Sequence, residues 1–128
     1  MDIRFYKPTV ADIAKMQDIV KEEVQSGKIL LRTEDEMATT IRSYTVVKVD
    51  GKMAGFTATH IHSPRLAEVR SLVVAKEFRG LKLGRKLVDA CIKEAKEYGI
   101  KQLLSLTYEQ GFFESCGFRV ISKEEIPE

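Results

Sequence analysis

The chain has no tryptophan, three prolines, two cysteines and a formal net charge of only +2 in 128 residues. Each shortage excludes something. A balance of 21 basic against 19 acidic residues gives no general case for nucleic acid, so any basic patch must be local. Cys91 and Cys116 are not a C-x-x-C pair and read as reduced thiols of a cytoplasmic protein. Cys91 falls on an apolar helix face, where a thiol is inert. No stretch reaches the roughly 18 apolar residues that a membrane span needs. The first residues, Met1-Asp2-Ile3-Arg4-Phe5, are strand-like and lack the apolar core of a signal peptide. At 44% hydrophobic and 31% charged, the chain can bury a normal core, which rules out a disordered reading. Its length suits one domain over residues 1–128.

The most informative stretch is Leu72-Val73-Val74-Ala75, then Lys76-Glu77-Phe78, then Arg79-Gly80-Leu81-Lys82-Leu83-Gly84. An apolar strand runs into a short basic loop with two glycines, and an amphipathic helix starts at once. A helix N-terminus carries roughly half a positive charge and several unpaired N–H groups. After a glycine loop it is a ready anion site, and the spacing suggests a pyrophosphate clamp. A Walker-type loop would need G-x-x-x-x-G-K-[ST]. Gly80 to Gly84 is too short for it and Arg85 stands in the Lys place, which argues against an ATPase.

The remaining patterns place this loop in a fold. Residues 2–6 alternate as a first strand. Thr9 opens a helix after Pro8, with Asp12 as a capping-box partner and Ile13, Met16, Val20 and Val24 as its stripe. Gly27 is its expected stop. Thr33 and Glu36 form a second capping box, followed by Met37 and Ile41 at helical spacing. Tyr44 to Val49 and Met53 to Ile61 flank Asp50-Gly51, the strongest hairpin signal in the chain. Leu66 to Ala75 is a fourth strand, apolar enough at its end to be buried on both faces. Leu83, Leu87, Cys91 and Ala95, widened by Val88 and Ile92, define a helix to Tyr98 that Gly99 stops. Lys101 to Tyr108 is a fifth strand, Gly111 to Ser115 a short helix, and Phe118 to Ser122 a last strand. Strand, helix and strand around the loop form a βαβ unit, so its two strands are parallel. The predicted fold is α/β (α+β): a mixed, mostly antiparallel sheet of about six strands with helices on both faces.

The strand, R-G-x-x-x-G loop, helix and strand, followed by Phe112-Phe113-Glu114-Ser115-Cys116-Gly117-Phe118, resemble the GNAT family of N-acetyltransferases. Within it the chain is most similar to the amino-acid acetyltransferases that make N-acetylglutamate for arginine biosynthesis. The segments that carry this are Ile29-Leu30-Leu31-Arg32-Thr33, Ala67-Glu68-Val69-Arg70-Ser71-Leu72, Leu106-Thr107-Tyr108 and Gly117-Phe118 to Ile126-Pro127. The order of elements covers nearly the whole chain. Three features depart from the family. Lys82 stands where the loop usually has glycine. Phe113 stands where Tyr is frequent, and Phe cannot protonate a leaving thiolate. No amino-acid-kinase domain accompanies the chain, so control by arginine through such a domain is not expected. The chain also stops just after Ile126-Pro127, where relatives often continue, so part of the substrate wall is expected to be missing.

The resemblance implies acetyl-CoA as cosubstrate. Its pyrophosphate would lie on the loop amides of Arg79, Gly80, Leu81, Lys82, Leu83 and Gly84, with Arg85 adding charge and Phe113 beside the cofactor. Its pantetheine would run along Leu72, Val73 and Val74 like an added strand, which requires a splayed parallel strand pair. A backbone N–H near Leu72 or Val73 would then face the thioester carbonyl and stabilise the oxyanion. An amine arrives mostly as ammonium and must lose a proton before attack. Glu68 is the candidate general base, directly or through a water. Tyr108 is the candidate acid for the departing thiolate. A dicarboxylate acceptor needs cationic forks, which arginine supplies bidentately; Arg32 and Arg70 are the candidates. Direct transfer in a ternary complex is expected, because neither cysteine has a paired base.

Ordinary roles compete with each of these. Glu68 also reads as a partner of Arg70 or of a lysine on a neighbouring strand, and Tyr108 as a core-edge aromatic. Arg32 and Arg70 also read as surface arginines. His60 and His62 share a strand face, but an H-x-H pair with no third ligand is assigned no metal. Three functions stay open: transfer to the α-amine of glutamate, transfer to another small amine or a protein N-terminus, and a non-catalytic acyl-CoA-binding sensor. A homodimer is compatible with the resemblance; a nucleic-acid or membrane partner is not expected.

Overall fold

The computed structural model describes residues 1–25, 32–106 and 109–126. Five strands form one sheet in sequence order: β1 Ile3–Tyr6, β2 Tyr44–Val49, β3 Lys52–Ser63, β4 Leu66–Val74 and β5 Gln102–Leu104. The first three pairings are antiparallel and β4 pairs with β5 in parallel. The expected hairpin turn is present, with both Asp50 (φ 50°) and Gly51 (φ 83°) left-handed, which matches the twist of the flanking strands.

Helices cover both faces. On one side lie α1 Ile13–Gln25 and α2 Glu34–Thr39, and on the other α3 Leu83–Glu97. Both expected capping boxes form: Thr9 with Asp12, and Thr33 with Glu36. Ile13 and Met16 of α1 and Met37 of α2 pack on Tyr44, Val46, Phe56 and Val73. Leu83 and Leu87 of α3 pack on Val47, Val49 and Ala54. Neighbours Val46 and Val47 point to opposite faces and are both fully buried, so β2 lacks a polar alternation. The end of α3 closes as expected, with Gly99 N–H on the Lys96 carbonyl and Ile100 N–H on the Ala95 carbonyl.

An irregularity in β4 shapes the site. Pairing with β3 shifts register between Phe56 and Ala58, opposite Val73 and Arg70. Ser71 sits in that step with φ 54°, the extra residue of a bulge. Ala67 and Val69 pack toward α3. Strict alternation would send Val73 the same way, yet it packs toward α1. Thr57, fully buried, donates its hydroxyl to the Arg70 carbonyl at 3.1 Å and satisfies an acceptor beside the bulge.

Two expectations need correction. Phe118 to Ser122 forms no strand, and β5 spans only Gln102–Leu104 of the expected Lys101 to Tyr108, of which Thr107 and Tyr108 lie outside the described residues. A strand exists only within a ladder, and the run at 118–122 finds none: Phe118 packs with Phe113, while Arg119 pairs locally with Glu125. The sheet therefore has five strands among the described residues, not about six. After Gln110–Ser115, which forms α4, a hollow of about 660 Å³ opens between β5 and residues 116–121.

Candidate active site

The pairing of β4 with β5 covers only Leu66 with Gln102, Ala67 with Leu103 and Glu68 with Leu104. Beyond Glu68 the strand continues to Val74 without a β5 partner among the described residues. This is the expected splay, and it leaves backbone groups on the β4 edge available to an extended ligand.

At the end of that edge the chain makes a 3-10 turn at Lys76–Phe78 and enters the basic loop. Gly80 has φ 91° and Lys82 has φ 59° and ψ 28°. Lys82 thus holds the left-handed conformation that glycine usually supplies, and it is the N-cap of α3. It makes no side-chain cap bond, so the first N–H groups of a 15-residue helix have no side-chain acceptor there. Residues 79–86 include Arg79, Lys82, Arg85 and Lys86 and no acidic residue. Leu83 is buried and Leu81 packs beside it, so these two offer a ligand their backbone. This donor set suits a diphosphate. Phe112 covers the loop: a Cβ on Gly84 would lie 3.3 Å from its ring. Phe113 lies in the core with Val88, Cys91 and Cys116. Of these adjacent aromatics on a short helix, Phe112 is the one whose ring lies beside Gly84 of the loop.

At the other end of the splay, Glu68 is 6% exposed. Its Oε1 receives Arg70 Nε at 3.1 Å and lies 2.7 Å from His62 Nε2. The partnership with Arg70 is therefore real, and it sits at the mouth of the splay. His60, opposite Glu68 across the ladder, meets His62 edge-on at 4.6 Å. Burial first, then Arg70 and His62, hold the His60 imidazole below its ordinary value; Glu68 pulls the other way, and Arg32 adds the smallest lowering contribution. Arg32 is exposed, and its charge reaches this cluster. Gln17 of α1 donates to its carbonyl at 3.1 Å, and the next residue, Thr33, starts α2. Arg32, Arg70 and Glu68 thus share one face of the sheet. Sequence reasoning missed His62 as a Glu68 partner; the H-x-H alternation was the signal, but only strand register shows what the pair faces. Tyr108 lies outside the described residues.

Both cysteines are free and buried. Burial pushes the Cys91 thiol up, and its sulfur lies 3.8 Å from the Thr57 hydroxyl, which leaves it unsuited to nucleophilic work. Among the described residues, no group of three or more His, Cys, Asp or Glu side chains is disposed to hold a metal, and no helix is long and apolar enough to cross a membrane.

Comparison with known proteins agrees with this geometry. The pattern of the acetyltransferase (GNAT) family matches residues 11–118. An uncharacterised N-acetyltransferase of Chlorobaculum tepidum is 32% identical over 119 residues, covering 93% of this chain and 77% of that protein. The amino-acid acetyltransferase of Pasteurella multocida is 26% identical over 122 residues, 94% of this chain but 28% of its own length. N-acetylglutamate synthase from Neisseria gonorrhoeae, solved with coenzyme A and N-acetyl-glutamate, superposes with a TM-score of 0.91 at 22% identity. That match covers 100% of this chain and 31% of the synthase, and it shows the shared fold. With a basic glycine-bearing loop, a splayed strand edge and the family's order of elements in place, the chain belongs to the acetyltransferase (GNAT) family, a family of N-acetyltransferases.

Proposed function

We propose that the chain transfers the acetyl group of acetyl-CoA to the α-amine of L-glutamate, the N-acetylglutamate-forming step of arginine biosynthesis. The observation that carries this is one cluster: a buried carboxylate, Glu68, held by Arg70 at 3.1 Å on the face of the sheet that α2 covers, with Arg32 just ahead of that helix. A dicarboxylate amino acid presents two anions and one ammonium. Two guanidinium groups and one carboxylate complement that pattern. Relatives named amino-acid acetyltransferase, and a structural neighbour solved with N-acetyl-glutamate, support the choice.

Acetyl-CoA supplies an acyl carbon activated as a thioester. The loop at 79–84 holds the diphosphate, and the edge at Leu72, Val73 and Val74 pairs with the pantetheine amides. Glu68 removes a proton from the acceptor ammonium, directly or through a water. The free amine forms the new C–N bond as the C–S bond breaks. A backbone N–H at Leu72 or Val73 stabilises the oxyanion; Tyr108 gives its phenol proton to the thiolate and regains one from the nitrogen, which sheds its second proton as the amide forms. The same reading takes residues 1–128 as one cytoplasmic acetyltransferase domain able to form a homodimer.

The test is thiol release by the purified chain with acetyl-CoA and a panel of amines. Turnover is expected with L-glutamate. Turnover with other amines but not with glutamate would remove the acceptor assignment.

A further inference from the structure

A general base takes up one proton per turnover and must return it to bulk water before the next. Glu68 is poorly placed to do this alone, because its side chain is 8% exposed. Arg70 and His62 touch it, both on Oε1. Arg70 cannot take the proton onward, since a guanidinium has no acceptor and stays charged. An imidazole has an acceptor and a donor on different edges of one ring. The His62 side chain is 34% exposed, against 8% for Glu68, and the two meet at 2.7 Å. One end of this contact is buried and the other is wet.

We infer that His62 is the proton exit of Glu68, a relay from the buried carboxylate to solvent. The inference rests on Glu68 being the base. The acceptor ammonium gives one proton to the Glu68 carboxylate. With the ring in its Nδ1–H tautomer, Nε2 is the acceptor, and the protonated carboxyl hands the proton to it across the 2.7 Å contact; the imidazolium so formed donates back to Oε1. The imidazolium, on a side chain 34% exposed, releases its Nδ1 proton to water, and the ring regains its starting tautomer by exchange with water. The net change is one proton moved from amine to bulk for each acetyl group transferred. The titratable and charged groups around His62 include Glu68 and Arg70 on β4 and His60 on β3, with Arg32 ahead of α2 acting on His60. They form a small charged cluster at the mouth of the splay.

His62→Gln tests the relay, because an amide can still donate to Oε1 but cannot carry a proton. The assay uses acetyl-CoA with L-glutamate, or with the fastest amine of the panel, in dilute non-imidazole buffer. The expected result is a fall in kcat of at least about tenfold. KM for the amine and Kd for coenzyme A should stay within about twofold. Added imidazole should restore most of the lost kcat, as a diffusible base replacing the missing ring. Glu68→Gln is measured in parallel. An inactive Glu68→Gln beside a fully active His62→Gln overturns the relay and leaves Glu68 as base. A loss in His62→Gln that imidazole does not restore makes His62 a structural partner and also overturns the relay. A fully active Glu68→Gln overturns the base assignment, and the relay falls with it.

Discussion

Lys82→Gly separates two contributions of one residue. Lys82 occupies φ 59°, ψ 28°, which costs an L-residue roughly 1–2 kcal/mol. Glycine removes that strain but loses roughly 0.5–1 kcal/mol more chain entropy on folding. The difference favours the variant by about 0.5–1 kcal/mol, a rise of roughly 2–5 °C in Tm for a domain of this size. The variant also removes an exposed cation from the loop. An exposed charge facing a phosphate is worth roughly 0.5–1 kcal/mol, so coenzyme A should bind about two- to fivefold more weakly at low salt, and the gap should close at high salt. Lys82→Gln is the control, because it loses the charge and keeps the strained backbone. Thermal melts and coenzyme A titration at two salt concentrations read both effects. A Lys82→Gly variant destabilised by more than about 1 kcal/mol would refute the strain argument. Unchanged affinity at low salt in both variants would refute the diphosphate site.

Three further outcomes follow from the same geometry. Gly55→Ala would place a Cβ 2.5 Å from the Val73 carbonyl oxygen, which only backbone movement relieves. It should cost about 1–3 kcal/mol in denaturant unfolding and weaken coenzyme A binding, since the displaced strand is the edge proposed to take the pantetheine. Arg32→Ala should raise the KM for glutamate by roughly tenfold while leaving coenzyme A affinity unchanged; an unaltered KM would take Arg32 out of the site. His60 is held below its ordinary value of 6.5, so the unfolded chain takes up this proton before the folded one does. Its contribution to stability is present above about pH 6.5 and fades as pH falls through the lower folded value. His60→Gln should flatten the loss of stability from pH 6.5 downward in pH-dependent melts.

What could be read from the sequence was local in character. Thr9, Thr33 and Asp50-Gly51 announce caps and a turn through contacts only a few residues apart. The stripe of Leu83, Leu87, Cys91 and Ala95 announces a helix face in the same way, and all four side chains are buried. The loop was legible as well, because its charge and glycines adjoin a strand and a helix. What escaped depended on register between distant residues. His62 reaches Glu68 only because β3 and β4 align His60 with Glu68. The bulge at Ser71 has no marker, since serine is not a residue that signals a left-handed backbone. The run expected as a strand at 118–122 carries Phe118, Val120 and Ile121, but a ladder needs a second strand that the run itself cannot reveal.

The step at Ser71 divides β4 into two independent jobs. In the proposed function, upstream positions 68 and 70 meet the acceptor, while downstream positions 72 to 74 serve the thioester arm and the core. Because the inserted residue resets which way side chains point, exchanging residues upstream leaves the downstream phase untouched. An N-acetyltransferase built this way can trade one amine for another by point replacement, whereas losing a single residue at the step would turn Val73 away from α1 and reverse the downstream half against the upstream one.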